Sequence, residues 1–329
     1  MKSFVRGMLG LTFGLTLGLV LSFLAGENPA QVFLILIKSA FGSTYDLGMT
    51  LSYTAPLIFT GLSVCVGLRA GLFNIGGEGQ LLIATSVGAW AALKLLDFGP
   101  LGSWIGLPLV CVLAAGIWGG IAGLLKAWRG RHEVIVTMML NFLAAGIANF
   151  IALHVVPNPL SQNPETAKIP EVFNLSSYDV LNKTFLNTPV NFTLIVALIA
   201  AILLHYFFSR TRWGYEMKIV GQNSEAATRA GISVERYQVS AMVLAGALCA
   251  GVAIGELMGP VGQYRVGFSP DYGFIGIAVA MLAMREPLFV LPAAFLMAAL
   301  HKGATDLDME TAHLTRDYSR ILQALVIVS

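Results

Sequence analysis

Three side chains that can hydrogen-bond to a small solute lie in a glycine-rich interruption of an apolar sequence. Residues 71–80 read Gly-Leu-Phe-Asn-Ile-Gly-Gly-Glu-Gly-Gln and carry Asn74, Glu78 and Gln80. These groups suit recognition by hydrogen bonding rather than bond making. The four glycines weaken a helix by about 1 kcal/mol each relative to alanine. Polar residues at membrane depth usually mark a transport pathway, whereas a short turn between two helices would need no such role, and both interpretations are open.

A second polar pattern runs along one face of a predicted helix. Glu133, Thr137 and Asn141 are spaced i, i+4 and i+8, which places them on the same side of a helix. A polar stripe on an apolar helix is expected to face the bundle or a cavity. Two alternatives are that Thr137 bonds between helices without touching a ligand and that Glu133 is solvated. Glu256, near the outer end of a later span, could line the path or lie at the interface, and the interfacial position is favoured.

Groupings typical of covalent catalysis, metal binding or nucleotide binding are missing from the sequence. The histidines are scattered near span ends without metal-ligand spacing, and the cysteines lie within apolar segments. The phosphate-binding pattern G-x-x-x-x-G-K-[ST] is absent. The sequence therefore predicts no catalytic residue, no metal site and no cofactor. An intramembrane enzyme and a channel stay as alternatives to a transport subunit.

Composition sets the class of protein. Of the 329 residues, 56% are hydrophobic and only 12% are charged, against about 25% charged in an ordinary soluble domain. Several apolar stretches exceed the roughly 20 residues that cross a bilayer. The net charge of +2 does not indicate the strongly basic surface that is typical of nucleic-acid-binding proteins. The expected fold is an all-α polytopic membrane protein surrounded by lipid.

The apolar segments predict about ten spans. A shorter apolar stretch, Asn28–Phe41, fits an interfacial or re-entrant segment better than a span. The Lys126–Arg131 loop is rich in cations, which favours a cytoplasmic position. Both termini are then cytoplasmic, and the first span is expected to be an uncleaved one. The predicted spans are 7–25, 51–68, 75–95, 101–125, 134–156, 190–208, 238–258, 271–284, 287–303 and 319–329.

Two long loops separate the predicted spans. Residues 157–189 are expected outside the cell, and 209–237 inside it. The inner loop contains a short helix with Asn223 or Ser224 as its N-cap and Gly231 as its stop. Three alanines of this helix, Ala226, Ala227 and Ala230, are expected on one face. That face would admit a closely packed partner, and the alternative is a solvated connector on the membrane surface.

The two halves of the chain also carry a weak sign of internal inversion. Residues 71–76 open a span running from inside to outside, and residues 267–273 open one running in the opposite direction. Each segment places glycines and polar groups directly before an apolar helix. Paired interrupted segments of this kind point to the translocation path of a transporter.

Three sequence blocks, taken in order, resemble those of a known family. They are Phe73–Gln80 (FNIGGEGQ), Glu133–Asn141 (EVIVTMMLN) and Gly221–Ile232 (GQNSEAATRAGI). They resemble the permease subunits of bacterial ABC importers for ribose, branched-chain amino acids and nucleosides, and they look most like the nucleoside branch. The charged segment 301–318 departs from what that resemblance leads us to expect.

The resemblance implies a complete transport assembly. Residues 1–329 would form a single permease domain of two inverted halves in the bacterial cytoplasmic (inner) membrane. Its partners would be ATP-binding subunits that hydrolyse ATP, a second related permease, identical or not, and an extracytoplasmic substrate-binding lipoprotein. The chain itself would be a transport subunit and not an enzyme, importing nucleosides or, alternatively, a simple sugar or other small polar solute.

The resemblance and the polar pattern together give two sets of candidate site residues. The candidates for the substrate pathway are Phe73, Asn74, Glu78, Gln80, Asn141 and Phe142. The phenylalanines could stack on a base while the amides and the carboxylate bond to base edges and ribose. The candidates for coupling to the ATPase, within residues 209–237, are Asn223, Glu225, Ala226, Ala227 and Gly231.

Overall fold

Helices form most of the described chain. The structure is a computed structural model. The residues that it describes are 2–95, 99, 102–174, 180–311, 313–315 and 317–328. Within them, strand-type pairing is limited to two isolated bridges, Pro157 with Thr166 and Glu165 with Arg265. The predicted all-α class is confirmed.

The α-helices within the described ranges are numbered here in chain order. They are α1 (Lys2–Leu24), α2 (Pro29–Phe41), α3 (Thr44–Arg69), α4 (Gly77–Leu95), α5 (Leu107–Arg129), α6 (Glu133–Phe150), α7 (Val180–Thr184), α8 (Thr193–Arg210), α9 (Arg212–Gln222), α10 (Ser224–Arg229), α11 (Val234–Met258), α12 (Tyr272–Leu282), α13 (Val290–Glu310) and α14 (Asp317–Val328). Single π-helical turns lie at Gly102–Gly106 and Ile151–Val155, and short 3-10 turns at Glu171–Phe173 and Pro287–Phe289.

Side-chain caps fix several helix starts. The Asn28 side chain accepts from the Ala30 amide at 3.0 Å, directly before the proline that opens α2. The Ser43 hydroxyl accepts from the Asp46 amide at 3.1 Å at the start of α3. Such caps satisfy amides that have no partner within the helix. The helix α2 has 13 residues, which agrees with the expectation of a segment too short to cross the membrane.

Six helices within the described residues are long and apolar enough to cross a membrane. They are Thr44–Arg69, Trp104–Arg129, Glu133–Val155, Thr193–Arg210, Val234–Met258 and Pro287–Glu310. Shorter apolar helices are Thr12–Leu24, Pro29–Phe41 and Tyr272–Leu282. Helix α4 is not among the six, since it opens with Glu78 and Gln80. The chain is a multi-pass helical membrane protein, and a total of ten spans stays a prediction.

Close contacts between small residues hold the bundle together around α11. A Cβ on Gly119 of α5 would lie 2.4 Å from the Met242 carbonyl oxygen, and one on Gly246 of α11 would lie 2.2 Å from the Ala115 carbonyl oxygen. Neither glycine can therefore carry a side chain without moving a backbone. Small residues at such crossings let membrane helices approach closely, where dispersion and interhelical bonding stabilise them.

Two helices begin in contact with each other. After α3 ends at Arg69, residues 70–76 are irregular, and α4 begins at Gly77. A Cβ on Gly273, in the first turn of α12, would lie 2.2 Å from the Glu78 amide nitrogen. The two interrupted segments singled out in the sequence therefore meet. The interruption is shorter than the sequence suggested, because Glu78, Gly79 and Gln80 belong to the first turn of α4.

Candidate functional site

Asn74 is the centre of the irregular turn before α4. It is fully buried, and its Oδ1 accepts from the Gly76 amide at 3.0 Å. Its Nδ2 donates to the Ser63 hydroxyl at 3.3 Å. The amide side chains of Asn74 and Gln80 also donate to each other, and both hydrogen bonds are 3.2 Å long. A buried amide with all its partners stabilises one backbone conformation, because each lost bond would leave a polar group unpaired.

Asn141 joins α6 to the same turn. Its Oδ1 accepts from the Gly79 amide at 2.8 Å, and its Nδ2 donates to the Ile75 carbonyl at 3.0 Å. The Gly79 amide belongs to the first turn of α4 and has no partner within that helix. Asn141 therefore caps α4 from a neighbouring helix.

The polar stripe of α6 faces the protein interior. Glu133, Thr137 and Asn141 are all buried. Glu133 pairs with Lys126 at 2.9 Å, and the Thr137 hydroxyl donates to the Glu133 carbonyl at 2.8 Å. The Thr137 bond lies within α6 and does not join two helices. The interpretation of Glu133 as a simply solvated residue was wrong.

Glu78 connects the two helix starts. Its Oε2 accepts from the Gly273 amide at 2.8 Å, and the Ser269 hydroxyl also bonds to its side chain. A carboxylate beside the positive ends of two helix dipoles is stabilised by both. The structure thus brings Asn74, Glu78, Gln80 and Asn141 together around one turn.

The two phenylalanines of the predicted pathway differ in their surroundings. Phe73 is half-buried beside Asn74 in the turn. Phe142 is 74% exposed on the outer surface of α6, and the structure does not bring it to the Asn74 turn. Contact of any of the six predicted residues with substrate stays a prediction.

A cavity of about 210 Å³ lies beside this junction. It opens at the end of the bundle where α11 ends and α8 begins, called here the loop end. Its wall combines the aromatic rings of Tyr53, Phe268 and Tyr272 with polar groups and with the ion pair between Glu256 and Arg265, whose atoms are 3.5 Å apart. The residues that line it are Met49, Ser52, Tyr53, Pro56, Pro189, Asn191, Thr193, Gly251, Val252, Gly255, Glu256, Pro260, Val261, Arg265, Phe268 and Tyr272.

The cavity reaches the helix junction through Tyr272. This residue lines the cavity and directly precedes Gly273, whose amide donates to Glu78. Two features of the sequence pointed to this lining: Glu256, for which an interfacial position was favoured and which lines the cavity wall, and the glycine-containing segment 267–273, which includes Phe268 and Tyr272. The other lining residues gave no signal, because they come from distant parts of the chain.

Comparison with known proteins decides the family. Residues 47–329 match the family described as the permease component of branched-chain amino acid transport systems. The chain belongs to this permease family.

Relatives of the permease have named transport roles. It is 33% identical over 308 residues to the guanosine ABC transporter permease protein NupP of Bacillus subtilis, covering 92% of this chain and 86% of that protein. It is 34% identical over 306 residues to the nucleoside ABC transporter permease protein NupB of Lactococcus lactis, covering 90% and 82%. The glucose ABC transporter permease protein TsgB13 of Haloferax volcanii is 30% identical over 309 residues, covering 92% and 80%.

The short helix predicted in the second long loop of the permease is present. The Asn223 side chain accepts from the Ala226 amide at 3.0 Å and caps α10. Gly231 follows the helix with a φ of +77°, and the Ile232 amide donates to the Ala227 carbonyl at 3.0 Å. These bonds satisfy the last carbonyls of the helix and end it.

The predicted alanine face of α10 is divided. Ala226, Ala230 and Glu225 are exposed. Ala227 is fully buried in the main hydrophobic core of the permease itself. The prediction that all three alanines form one face open to a partner was therefore wrong, because the side of α10 that carries Ala227 already packs against its own chain.

Helix α9 is tied to the start of α11. The Tyr237 hydroxyl donates to the Glu216 carboxylate, and Arg212 bonds to the same side chain at 2.6 Å. These hydrogen bonds, with that from Tyr237 the larger cause, hold the pKa of Glu216 below its ordinary value. The end of the bundle that carries α9 and α10, called here the short-helix end, is thus fixed to a membrane-spanning helix.

Proposed function

We propose that this permease subunit carries nucleosides into the cytoplasm as part of an ATP-driven importer. The relatives at 33% and 34% identity are named as guanosine and nucleoside permeases. In this proposal the chain supplies the passage through the membrane, and separate ATP-binding subunits hydrolyse ATP.

The observation that carries the proposal within the structure is the composition of the cavity wall. Tyr53, Phe268 and Tyr272 contribute aromatic side chains to the wall, while Asn191 and the Glu256–Arg265 pair contribute polar groups. Stacking of a nucleic-acid base on an aromatic side chain contributes about 1–3 kcal/mol. The ribose and the base edges supply the hydroxyl and amide partners that a mixed wall of this kind can bond.

The route across the protein runs from the cavity past the helix junction. Helix starts that meet inside a bundle are typical of transporter binding sites. We assign Phe73, Asn74, Glu78, Gln80 and Asn141 to this junction, where they hold the two helix starts in place while solute passes. Phe142 lies on the outer surface of α6. In this proposal it contributes to the pathway only if a second permease packs there and completes the passage.

The proposal includes a topology for the whole chain. Residues 1–329 form a single permease domain of about ten spans in two inverted halves. The meeting of α4 and α12 supports the inversion, since each begins after an interrupted segment. Both termini and residues 209–237 are cytoplasmic in the bacterial inner membrane, and 157–189 is external. The cations of Lys126–Arg131 favour this orientation.

Partners are assigned to the two ends of the bundle. An ATP-binding subunit docks on the exposed side of α10, which carries Glu225, Ala226 and Ala230. A substrate-binding lipoprotein delivers solute to the loop end, where the cavity opens. A second permease, related or identical, completes the passage.

A sugar is the second candidate substrate. The Haloferax volcanii relative, 30% identical, is named as a glucose permease. The hydrogen-bonding groups of the cavity suit a sugar as well as a ribose, but the aromatic rings favour a ligand that contains a base.

Uptake into proteoliposomes tests the function. The assembled transporter, purified through a tag on this chain with its partners, should accumulate labelled guanosine when ATP is supplied to the ATPase side. Unlabelled nucleosides should compete, whereas ribose and leucine should not, because a site built for base and ribose rejects ligands that leave its polar groups unpaired. Competition by ribose or glucose without competition by nucleosides would move the chain to the sugar candidate.

A further inference from the structure

The short-helix end approaches the glycine-rich turn closely at Gly221 and Gly71, where backbone meets backbone. A Cβ on Gly221, near the end of α9, would lie 2.1 Å from the Arg69 carbonyl oxygen and 2.6 Å from the Gly71 nitrogen. A Cβ on Gly71 would lie 3.0 Å from the Gly221 Cα. Gly71 also has a φ of +75°, a conformation that side chains disfavour. The two backbones are therefore in contact with no side chain between them.

Arg69 links this contact to two other parts of the chain, the turn that carries Arg285 and Glu286 and helix α8. Its Nε donates to the Arg285 carbonyl at 2.8 Å, and its guanidinium pairs with Glu286 at 2.5 Å. The guanidinium also lies 4.7 Å from the centre of the Phe208 ring. The Arg69 side chain is only 10% exposed, whereas the Glu286 side chain is 47% exposed, so these contacts hold a largely buried guanidinium in place from its partly exposed side.

The chain from this contact to the helix junction is short and braced. The Leu72 amide donates to the Gly67 carbonyl at 2.9 Å, and Asn74 bonds to Ser63 and Gln80. Six peptide units separate Gly71 from Gly77, which begins α4. Because these hydrogen bonds fix the conformation of the connecting segment, a displacement of α9 can be passed on to the start of α4.

We propose that the Gly71–Gly221 contact, held by Arg69, transmits motion between the short-helix end and the cavity. Gly71, Gly221 and Arg69 are positioning residues in this account, because none of them lines the cavity. Packed backbones transmit strain rather than absorb it, and a small shift at one end moves the helix start at the other. The inference rests on the proposed docking of an ATP-binding subunit at α10.

A cysteine reporter in the cavity tests the transmission without requiring a known substrate. Ser52 lines the cavity, and the natural cysteines Cys65, Cys111 and Cys249 are all buried. The Ser52→Cys permease in its full complex should react with a soluble maleimide at a rate that ATP changes. Adding Gly221→Ala should abolish the ATP-dependent change while ATP hydrolysis continues. Gly146→Ala is the matched control, since a Cβ at that helical glycine meets nothing within 4 Å.

Two further variants keep the test decisive. Gly71→Ala should also abolish the ATP-dependent change in the labelling rate. Gly130→Ala is its control and should keep that change, because Gly130 has a similar φ of +61° but nothing within 4 Å of its Cβ position. If Gly221→Ala does not assemble, Arg69→Lys takes its place, since lysine keeps the charge but loses the planar fork of donors. It should likewise lose the ATP response.

The outcomes separate this inference from the proposed function. An ATP response in Gly221→Ala and Arg69→Lys equal to that in Gly146→Ala would overturn the inference. A Ser52→Cys parent whose labelling rate ignores ATP would overturn it too. Guanosine uptake, measured on the same preparations, decides the substrate separately, because the labelling experiment contains no solute.

Discussion

The Glu78 carboxylate of α4 accepts a hydrogen bond from the Gly273 backbone amide of α12 at 2.8 Å, across 195 residues of sequence. The contact joins the first turns of two helices that each follow an irregular segment. It therefore connects the glycine-rich turn of the first half with the cavity-lining segment of the second.

Removing the Glu78 carboxylate should loosen this junction. Glu78→Ala leaves the Gly273 amide without its partner, which costs about 1–3 kcal/mol for a buried donor. Glu78→Gln keeps an acceptor and should lose less. Thermal unfolding of the purified protein should show this order, with Glu171→Ala, at an exposed position, unchanged. Equal midpoints for Glu78→Ala and wild type would show that the bond does not stabilise the fold.

Filling the space beside Gly79 should displace the cap of α4. A Cβ there would lie 2.8 Å from the Asn141 Oδ1 and 3.0 Å from its Cα. Loss of a helix cap costs about 0.5–2 kcal/mol. Gly79→Ala should lower thermal stability and nucleoside uptake, while Gly146→Ala, whose Cβ meets nothing within 4 Å, should be neutral. Identical uptake by the two variants would contradict a tight contact at Gly79.

Removing one ring from the cavity wall should weaken substrate binding. Phe268→Leu deletes an aromatic face, and a stacking contribution of about 1–3 kcal/mol corresponds to a rise in KM of about fivefold to 150-fold. The maximal uptake rate should change less. Phe289→Leu, at a residue 57% exposed and outside the cavity, is the control. An unchanged KM in Phe268→Leu would exclude stacking on this ring.

Two alanines of α10 should respond differently to a charge. Ala227→Arg places a cation in the hydrophobic core of the permease, so the protein should fail to accumulate in the membrane. Ala226→Arg changes an exposed residue, so the protein should fold but lose association with the ATP-binding subunit. Membrane abundance and co-purification of the ATPase measure the two effects. Normal accumulation of Ala227→Arg would show that this side chain is not buried.

Glu216 should make the short-helix end sensitive to acid. Its pKa is lowered in the folded state, so its contribution to stability is present above the ordinary glutamate pKa of about 4.3. That contribution is lost as the pH falls through the lowered pKa. Glu216→Gln should flatten the pH dependence of the thermal midpoint below about pH 5. An identical acid profile in wild type and Glu216→Gln would show that the carboxylate bonds are not formed.

Local patterns predicted the helices and the contacts that lie within one segment. The i, i+4, i+8 spacing placed Glu133, Thr137 and Asn141 on one buried face, and Asn223, one of the two predicted N-caps, caps α10. Contacts between distant segments were beyond these patterns. The cavity lining, the burial of Ala227 and the bond from Gly273 to Glu78 each depend on how helices pack, which periodicity does not encode.

The claim that the cavity takes nucleosides is tested most directly by protection of a cysteine within it. Ser52→Cys permease in its complex should react with maleimide more slowly as guanosine is added, and ribose or leucine should have no such effect. Protection should follow the same concentration dependence as guanosine uptake. Full reactivity at guanosine concentrations that saturate uptake would contradict the account, because the solute would then cross without occupying this cavity.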